Sequence, residues 1–263
     1  MAVDRTVVDR YLDRIAYRGG RAPTYAHLAA LQRAHLLAVP FENLDVFART
    51  GVRVGLDWSV PKVVDRRRGG WCFELNGAFA ALLDALGYPV THHSAQVDDG
   101  AGALGPALDH LALLVHVEGR RLLVDVGFGD SALTPLDVDD AAPQDGAVRR
   151  SRLTPVDGGA ALDLFDEGAD GTWARQYRLD LTVRRLEEFE PRSTALQTLP
   201  GLPWTTRRFA TRPTPDGGRV WLFGDRLKVR RPDGTVTETP VAPADWDAVL
   251  DARLGLRPAP LAP

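Results

Sequence analysis

Of 263 residues only one is a cysteine, Cys72, in the stretch RRRGGWCFELNG (66–77). A thiol has a reference pKa of about 8.5 and is a poor nucleophile at pH 7 unless an imidazolium or a helix N-terminus favours its thiolate. Chemistry at Cys72 therefore needs a base, and the base needs a group to orient it. His110, heading HLALLV, and Asp125, within VDVGFGD, are the residues whose types and positions meet that demand. A carboxylate beside an imidazole selects its tautomer and stabilises its protonated form, so the three make a candidate Cys, His, Asp triad.

Three kinds of element must position them. Val8, Tyr11, Leu12 and Ile15 recur at helical spacing, as do Leu28, Leu31 and His35 before Pro40. A third helix is predicted to begin at or beside Cys72, with Phe73, Phe79, Leu82, Leu83 and Leu86 on its apolar face and Gly87 as C-cap. After Pro89 the period becomes two: strands are predicted over 90–97, 174–183, 207–213, 219–224 and 226–231, and a hairpin over 110–129. The Asp-, Ala-, Pro- and Gly-rich segment 139–148 reads as a surface excursion, and Trp246, Val249, Leu250 and Leu254 as a short closing helix. No internal repeat is visible.

The hairpin carries the geometry. If Glu118 and Gly119 form a two-residue turn, Leu111 faces Val126, Leu113 faces Val124 and Val115 faces Leu122, all on one side. On the other side His110 and Asp125 become diagonal neighbours at roughly 7–8 Å, from which an imidazole and a carboxylate can meet. The apolar pairing favours this register over one shifted by a residue. Gly69 and Gly70 would let the chain turn tightly into the helix and leave room for a substrate to reach the sulfur. Trp71 and Phe73 would supply apolar walls, and Arg66 to Arg68 positive potential.

Each residue also has an ordinary structural reading. A free cysteine at the start of an apolar helix is commonly a small core hydrophobe. Asp125 would serve equally to cap a turn, and RRRGG to place arginines at a helix end. His92 and His93 read as strand-face polar residues, His27 and His35 as helix residues. Scattered this way, the histidines form no metal site. Trp204, Phe209, Trp221 and Phe223 read as core or pocket wall.

Composition excludes other classes. With 32 Lys plus Arg against 35 Asp plus Glu, the formal charge of −3 gives no basic field to gather a nucleic acid. The first twenty residues alternate charged with apolar types, unlike a signal peptide, and no window approaches a membrane span. A cytoplasmic protein with a reduced thiol and no membrane partner is expected.

VPFENLDV (39–46), RGGWCFELNG (68–77), His110 and VDVGFGD (124–130), in this order, resemble the arylamine N-acetyltransferase family. The resemblance implies an α+β fold with a cysteine-proteinase-like core: a helical bundle carrying the nucleophilic cysteine (1–88), a β-barrel-like domain carrying His and Asp (89–185) and a C-terminal α/β lid (186–263). It implies ping-pong acetyl transfer from acetyl-CoA, with no metal, through acetyl-Cys72 to an arylamine, hydrazine or N-hydroxyarylamine, as in xenobiotic metabolism. His110 would be base or imidazolium partner, Asp125 its anchor, and the Cys72 N–H an oxyanion donor. Residues matching Phe41, Val97, Phe128 and Trp204 line the family's acceptor pocket, and those matching Gly127, Phe128 and Gly129 lie near the entering CoA thioester.

Two departures bear on substrate scope. Asp109 stands where bacterial members often carry Thr, and its carboxylate is expected to weaken binding of CoA phosphates or to shift the His110 pKa. Trp204 stands where Phe is usual, and its indole would shrink the acceptor pocket. Three alternatives remain: an amide synthase closing a macrolactam from a carrier-protein thioester, a transglutaminase-like or papain-like thiol hydrolase, and a non-catalytic binding module.

Overall fold

The computed structural model describes residues 3–257; the terminal residues 1–2 and 258–263 of the expected first and last domains lie outside that range. The N-terminal part is helical: α1 (Arg5–Arg14), α2 (Tyr25–Ala38), a two-residue strand β1 (Phe41–Glu42), a short α3 (Leu44–Phe47), α4 (Leu56–Val64) and α5 (Cys72–Ala85). Asp4 and Thr24 cap α1 and α2 by accepting hydrogen bonds from the N–H groups of Val7 and His27 at 2.9 and 3.3 Å, satisfying donors with no intrahelical partner. α5 is surrounded by protein, every residue from Cys72 to Ala80 being buried, which makes it the central helix rather than a one-faced one. Gly87, with φ +86°, follows its C-cap in the left-handed conformation that glycine tolerates.

Strand β2 spans Val90–Val97 and is followed by β3 (His110–Val117) and β4 (Arg120–Val124). Glu118 and Gly119 both have positive φ, 52° and 73°, the signature of a type I′ turn. The pairing is the expected one, with Leu113 opposite Val124 and Val115 opposite Leu122, but the ladder ends there and Leu111 and Val126 are not paired. Burial does not select this register, because β3 is buried on both sides. Leu113, Val115 and Val117 face the helices, while Ala112 and Leu114 face a second core. The tight turn fixes it.

The chain continues through β5 (Leu136–Asp137), β6 (Gln144–Asp145), β7 (Arg150–Val156), β8 (Ala161–Glu167) and β9 (Trp173–Arg184). These complete an antiparallel eight-stranded sheet in the order β5-β4-β3-β2-β9-β8-β7-β6, curled into a nearly closed barrel. The gap between its two edges is bridged by a side chain. Gln144 accepts from Asp137 N–H through Oε1 at 2.7 Å and donates to Asp137 C=O through Nε2 at 2.8 Å. The excursion at 139–148 thus crosses the seam. Leu114, Leu123, Leu153, Leu162, Tyr177 and Leu179 fill the barrel.

The remaining elements are α6 (Glu190–Thr198), α7 (Pro203–Thr206), β10 (Phe209–Pro213), β11 (Arg219–Phe223), β12 (Arg226–Arg230), β13 (Val236–Pro240) and α8 (Trp246–Leu254). The second sheet runs β1-β10-β11-β12-β13, so its first strand comes from the N-terminal part, with Phe41 opposite Thr211. Trp246, Leu250 and Leu254 of α8 bury against Ala210, Val220 and Leu222. Among the described residues no helix is long and apolar enough to cross a membrane.

Candidate active site

Cys72 is the first residue of α5, where N–H groups lack intrahelical acceptors and carry the positive end of the helix dipole. Glu74 pins this turn by accepting from the Trp71 N–H at 3.2 Å. Cys72 as a whole is 7% exposed. Gly127, after Asp125 and Val126, lies directly on it: a Cβ there would sit 2.7 Å from Cys72 Cα and 2.8 Å from Asn76 Nδ2. Only glycine lets the two backbones approach this closely.

His110 and Asp125, 2% and 6% exposed, meet at 2.7 Å between Nε2 and Oδ2. Nδ1 is the ring nitrogen not engaged by Asp125, and the Cys72 side chain is among the groups that act on the imidazole. Burial alone would lower the His110 pKa; the Asp125 carboxylate and the Cys72 side chain outweigh it and raise it from 6.5 to about 10. Burial would likewise raise Asp125, yet the imidazolium and two amide donors hold it below the usual carboxylate range. Those donors, Asn76 Nδ2 and Gly127 N–H, both reach Oδ1 at 2.9 Å. The imidazole and its carboxylate are thus brought to the head of α5.

Asn76 and Tyr177 were not among the expected site residues. Asn76 lies one helical turn beyond Cys72, on the same face of α5. It donates to Leu111 C=O at 2.6 Å and accepts from Val126 N–H at 2.9 Å, tying the helix to β3 and to the segment that follows β4. Its i+4 spacing from the thiol was the available signal. Tyr177 on β9 donates its hydroxyl to Asp125 Oδ2 at 3.1 Å and packs against His110, with ring centroids 5.3 Å apart. Nothing in its sequence neighbourhood marks it.

Phe128 stands edge-on to His110 at 5.3 Å and to Tyr177 at 5.1 Å. Phe41 and Trp204, both half-buried, belong to the apolar cluster that includes Cys72, Trp71 and Phe73. Gly129, with φ +91°, lies against Phe41, and its carbonyl accepts from Arg219 Nη1. Val97 is half-buried at the end of β2, opposite Tyr177 in the ladder.

Several sequence readings are corrected. Gly69 and Gly70 give no access to the sulfur: a Cβ on Gly69 would lie 2.1 Å from Pro40 O, and one on Gly70 2.6 Å from Glu74 Oε2. They are glycines because β1 and the Glu74 carboxylate fill that space. The three arginines provide no common field either. Arg66 and Arg67 are exposed, whereas buried Arg68 is paired with Glu42 at 2.8 Å and Asp45 at 3.1 Å. Asp109 Oδ1 is taken up by Arg192, which donates to it from Nε and Nη2.

The motif acids of the N-terminal part form a buried network. Lys62 Nζ lies 2.7 Å from both Glu74 and Asp45, and Trp58 Nε1 donates to Glu74 at 2.8 Å. Burial works against the Lys62 charge, but Glu74, Glu42 and Asp45 together raise its pKa. Asn43 joins the two ends of the chain, donating to Trp204 and Arg207 carbonyls at 2.7 and 2.8 Å and accepting from Phe209 N–H.

Comparison with known proteins gives the class first. Residues 24–259 match the family model described as N-acetyltransferase. Arylamine N-acetyltransferase 1 of Homo sapiens is 31% identical over 242 residues, covering 85% of this chain and 83% of its own length. The arylamine N-acetyltransferase of Escherichia coli is 30% identical, covering 82% and 76%. The solved arylamine N-acetyltransferase of Nocardia farcinica superposes with a TM-score of 0.87 at 34% identity, covering 96% of this chain and 90% of that one. That of Mycobacterium marinum, solved in complex with CoA, does so with 0.87 at 30% identity, covering 97% and 95%. The chain belongs to the arylamine N-acetyltransferase family and is an acyltransferase.

Proposed function

We propose that the protein transfers acetyl from acetyl-CoA to an arylamine, arylhydrazine or N-hydroxyarylamine in two half-reactions through acetyl-Cys72. The observation that carries this reading is Cys72 at the head of α5, beside an imidazole whose other nitrogen is fixed 2.7 Å from Asp125. With the thiol's proton on His110 Nδ1, Cys72 Sγ attacks the thioester carbonyl carbon. Charge gathers on the carbonyl oxygen, where the Cys72 N–H can donate. The CoA sulfur leaves and takes the His110 proton, and acetyl-Cys72 remains.

In the second half-reaction the acceptor nitrogen attacks that thioester. An aromatic amine is neutral at pH 7, so its lone pair is available; His110 accepts the proton lost as the N–C bond forms, and Cys72 Sγ departs. Phe41, Val97, Phe128 and Trp204 would wall the acceptor, with Gly127 to Gly129 bordering the entering CoA chain. The complex of a related protein with CoA supports the donor assignment. A single thiol, unable to form an internal disulfide, suits a reducing compartment such as the cytoplasm.

Incubation with acetyl-CoA alone, followed by intact mass measurement, tests this. One added acetyl group, absent in Cys72→Ala and discharged by aniline, is expected. No adduct with acetyl-CoA but one with a longer or carrier-bound thioester would overturn the reading in favour of an amide synthase. Turnover to acetate with no amine present would favour a hydrolase.

A further inference from the structure

The C-terminal segment reaches the site through α6 and the 3₁₀ turn before it. Phe189 and Leu196 pack with Cys72, Phe73 and Leu111. Glu190 accepts from the Val54 N–H at 2.6 Å and Gln197 bonds both backbone groups of Val52, so α6 is docked on the N-terminal part as well, and a further polar contact ties it to the turn before the histidine. Arg192 on α6 donates from Nε at 2.9 Å and from Nη2 at 2.7 Å to Oδ1 of Asp109, the residue immediately before His110. The two side chains are only 19% and 15% exposed, so the pair is shielded far more than a surface ion pair.

The turn that Asp109 belongs to is strained. Leu108 has φ +63°, the left-handed region, which costs a residue with a Cβ roughly 1–2 kcal/mol. Such backbone persists where its surroundings over-determine it. The Leu108 N–H is held by Ser94 Oγ of β2 at 2.8 Å, and its side chain packs in the cluster that contains Cys72. Across from Ser94, the holder is Arg192. Asp109 directly precedes His110 in the chain, so the pair can govern where the imidazole sits.

We propose that Arg192 is a positioning residue for His110. Its ion pair with Asp109 fixes the strained turn at 108–109 and seats α6, so His110 faces Cys72 correctly only when the C-terminal segment is docked. This rests on the triad reading above. Its ligand is internal, and the predicted defect is in thiol activation rather than in donor affinity.

The test uses the full chain and its Arg192→Gln, Arg192→Lys, Asp109→Asn and doubly substituted Arg192→Gln/Asp109→Asn forms. Iodoacetamide alkylation of Cys72 is followed from about pH 6 to about 9, where thiolate reactivity depends on the imidazolium. Both single neutral variants should alkylate about tenfold more slowly at pH 7, short of the roughly 10²-fold that a 1 Å misplacement can cost. kcat with acetyl-CoA and aniline should fall in parallel while KM for acetyl-CoA changes less than about threefold. Arg192→Lys should recover part of the rate, and the double variant should be no slower than either single one, as coupling requires. If the alkylation profiles of Arg192→Gln and Asp109→Asn superimpose on the parent's while only the melting temperature moves, the pair merely holds the fold and the proposal is wrong. Should Arg192→Gln not fold, the near-isosteric Asp109→Asn decides alone. A parent that alkylates no faster than its own His110→Ala variant overturns the triad reading itself, a different result from parent-like latch variants.

Discussion

Replacing Asp125 by asparagine probes the site most sharply, because the neighbours of the carboxylate dictate how an amide must lie there. Oδ1 accepts two N–H groups, from Asn76 and Gly127, both at 2.9 Å. An amide oxygen can take that position and an amide nitrogen cannot. The NH₂ group is then directed at His110 Nε2 and the Tyr177 hydroxyl, where Oδ2 now accepts at 2.7 and 3.1 Å. His110 Nε2 must become an acceptor, its proton moves to Nδ1, and the nitrogen facing Cys72 can no longer receive the thiol's proton.

The magnitude follows from the His110 pKa. A rise from 6.5 to about 10 favours the imidazolium by roughly 5 kcal/mol, and the Asp125 charge is the largest influence raising it. Loss of most of that preference, together with the wrong tautomer, should slow acetylation of Cys72 by about 10³ to 10⁴, the scale known for the analogous change in a serine triad. Single-turnover acetylation by acetyl-CoA, read by intact mass at successive times, measures this directly. Alkylation of Cys72 at pH 7 should slow by a similar factor, because the thiol has lost its proton acceptor. A folded Asp125→Asn protein within tenfold of the parent in both assays would refute the tautomer reasoning.

Gly127→Ala would drive a Cβ to 2.7 Å from Cys72 Cα, so a loss of about 1–3 kcal/mol in urea unfolding and at least about tenfold in kcat is expected. Lys62→Met would leave the buried Glu74 carboxylate without a cationic partner and should destabilise the protein by about 3–5 kcal/mol in the same measurement, with unfolding unchanged from the parent arguing against the network. The folded pKa of His110 lies above its unfolded value, so its contribution to stability is complete below about pH 6.5 and disappears as pH rises towards 10. Unfolding free energies of the parent minus those of His110→Gln should therefore shrink between pH 6.5 and 10; a difference constant over that range would contradict the raised pKa.

Much of the frame was legible because local chemistry specified it. β2 occupies 90–97 as its alternation predicted, and Glu118-Gly119 set the hairpin whose diagonal joined His110 to Asp125. α4 escaped notice because Pro61 lies inside it, a residue that ordinarily interrupts a helix. β7 likewise carries Pro155. Glu42, Asp45, Lys62, Arg68 and Glu74 look like solvated charges in sequence; only the meeting of α3, α4 and α5 shows that they neutralise one another in the interior. Tyr177 reaches Asp125 across the barrel, and its contribution depends on strand order, which no short spacing encodes.

The pairing of β1 with β10 has a consequence for the protein's synthesis. Phe41, on the strand beside the thiol, finds its partner in Thr211, and Asn43 waits for the carbonyls of Trp204 and Arg207. A chain growing on the ribosome cannot close this seam until nearly all of it has been translated. Until then Cys72 lacks the covering of Trp204 and Leu196, and the nascent polypeptide carries its one thiol open to oxidants. Exposure to peroxide during translation should therefore inactivate more molecules than the same dose given to the finished protein.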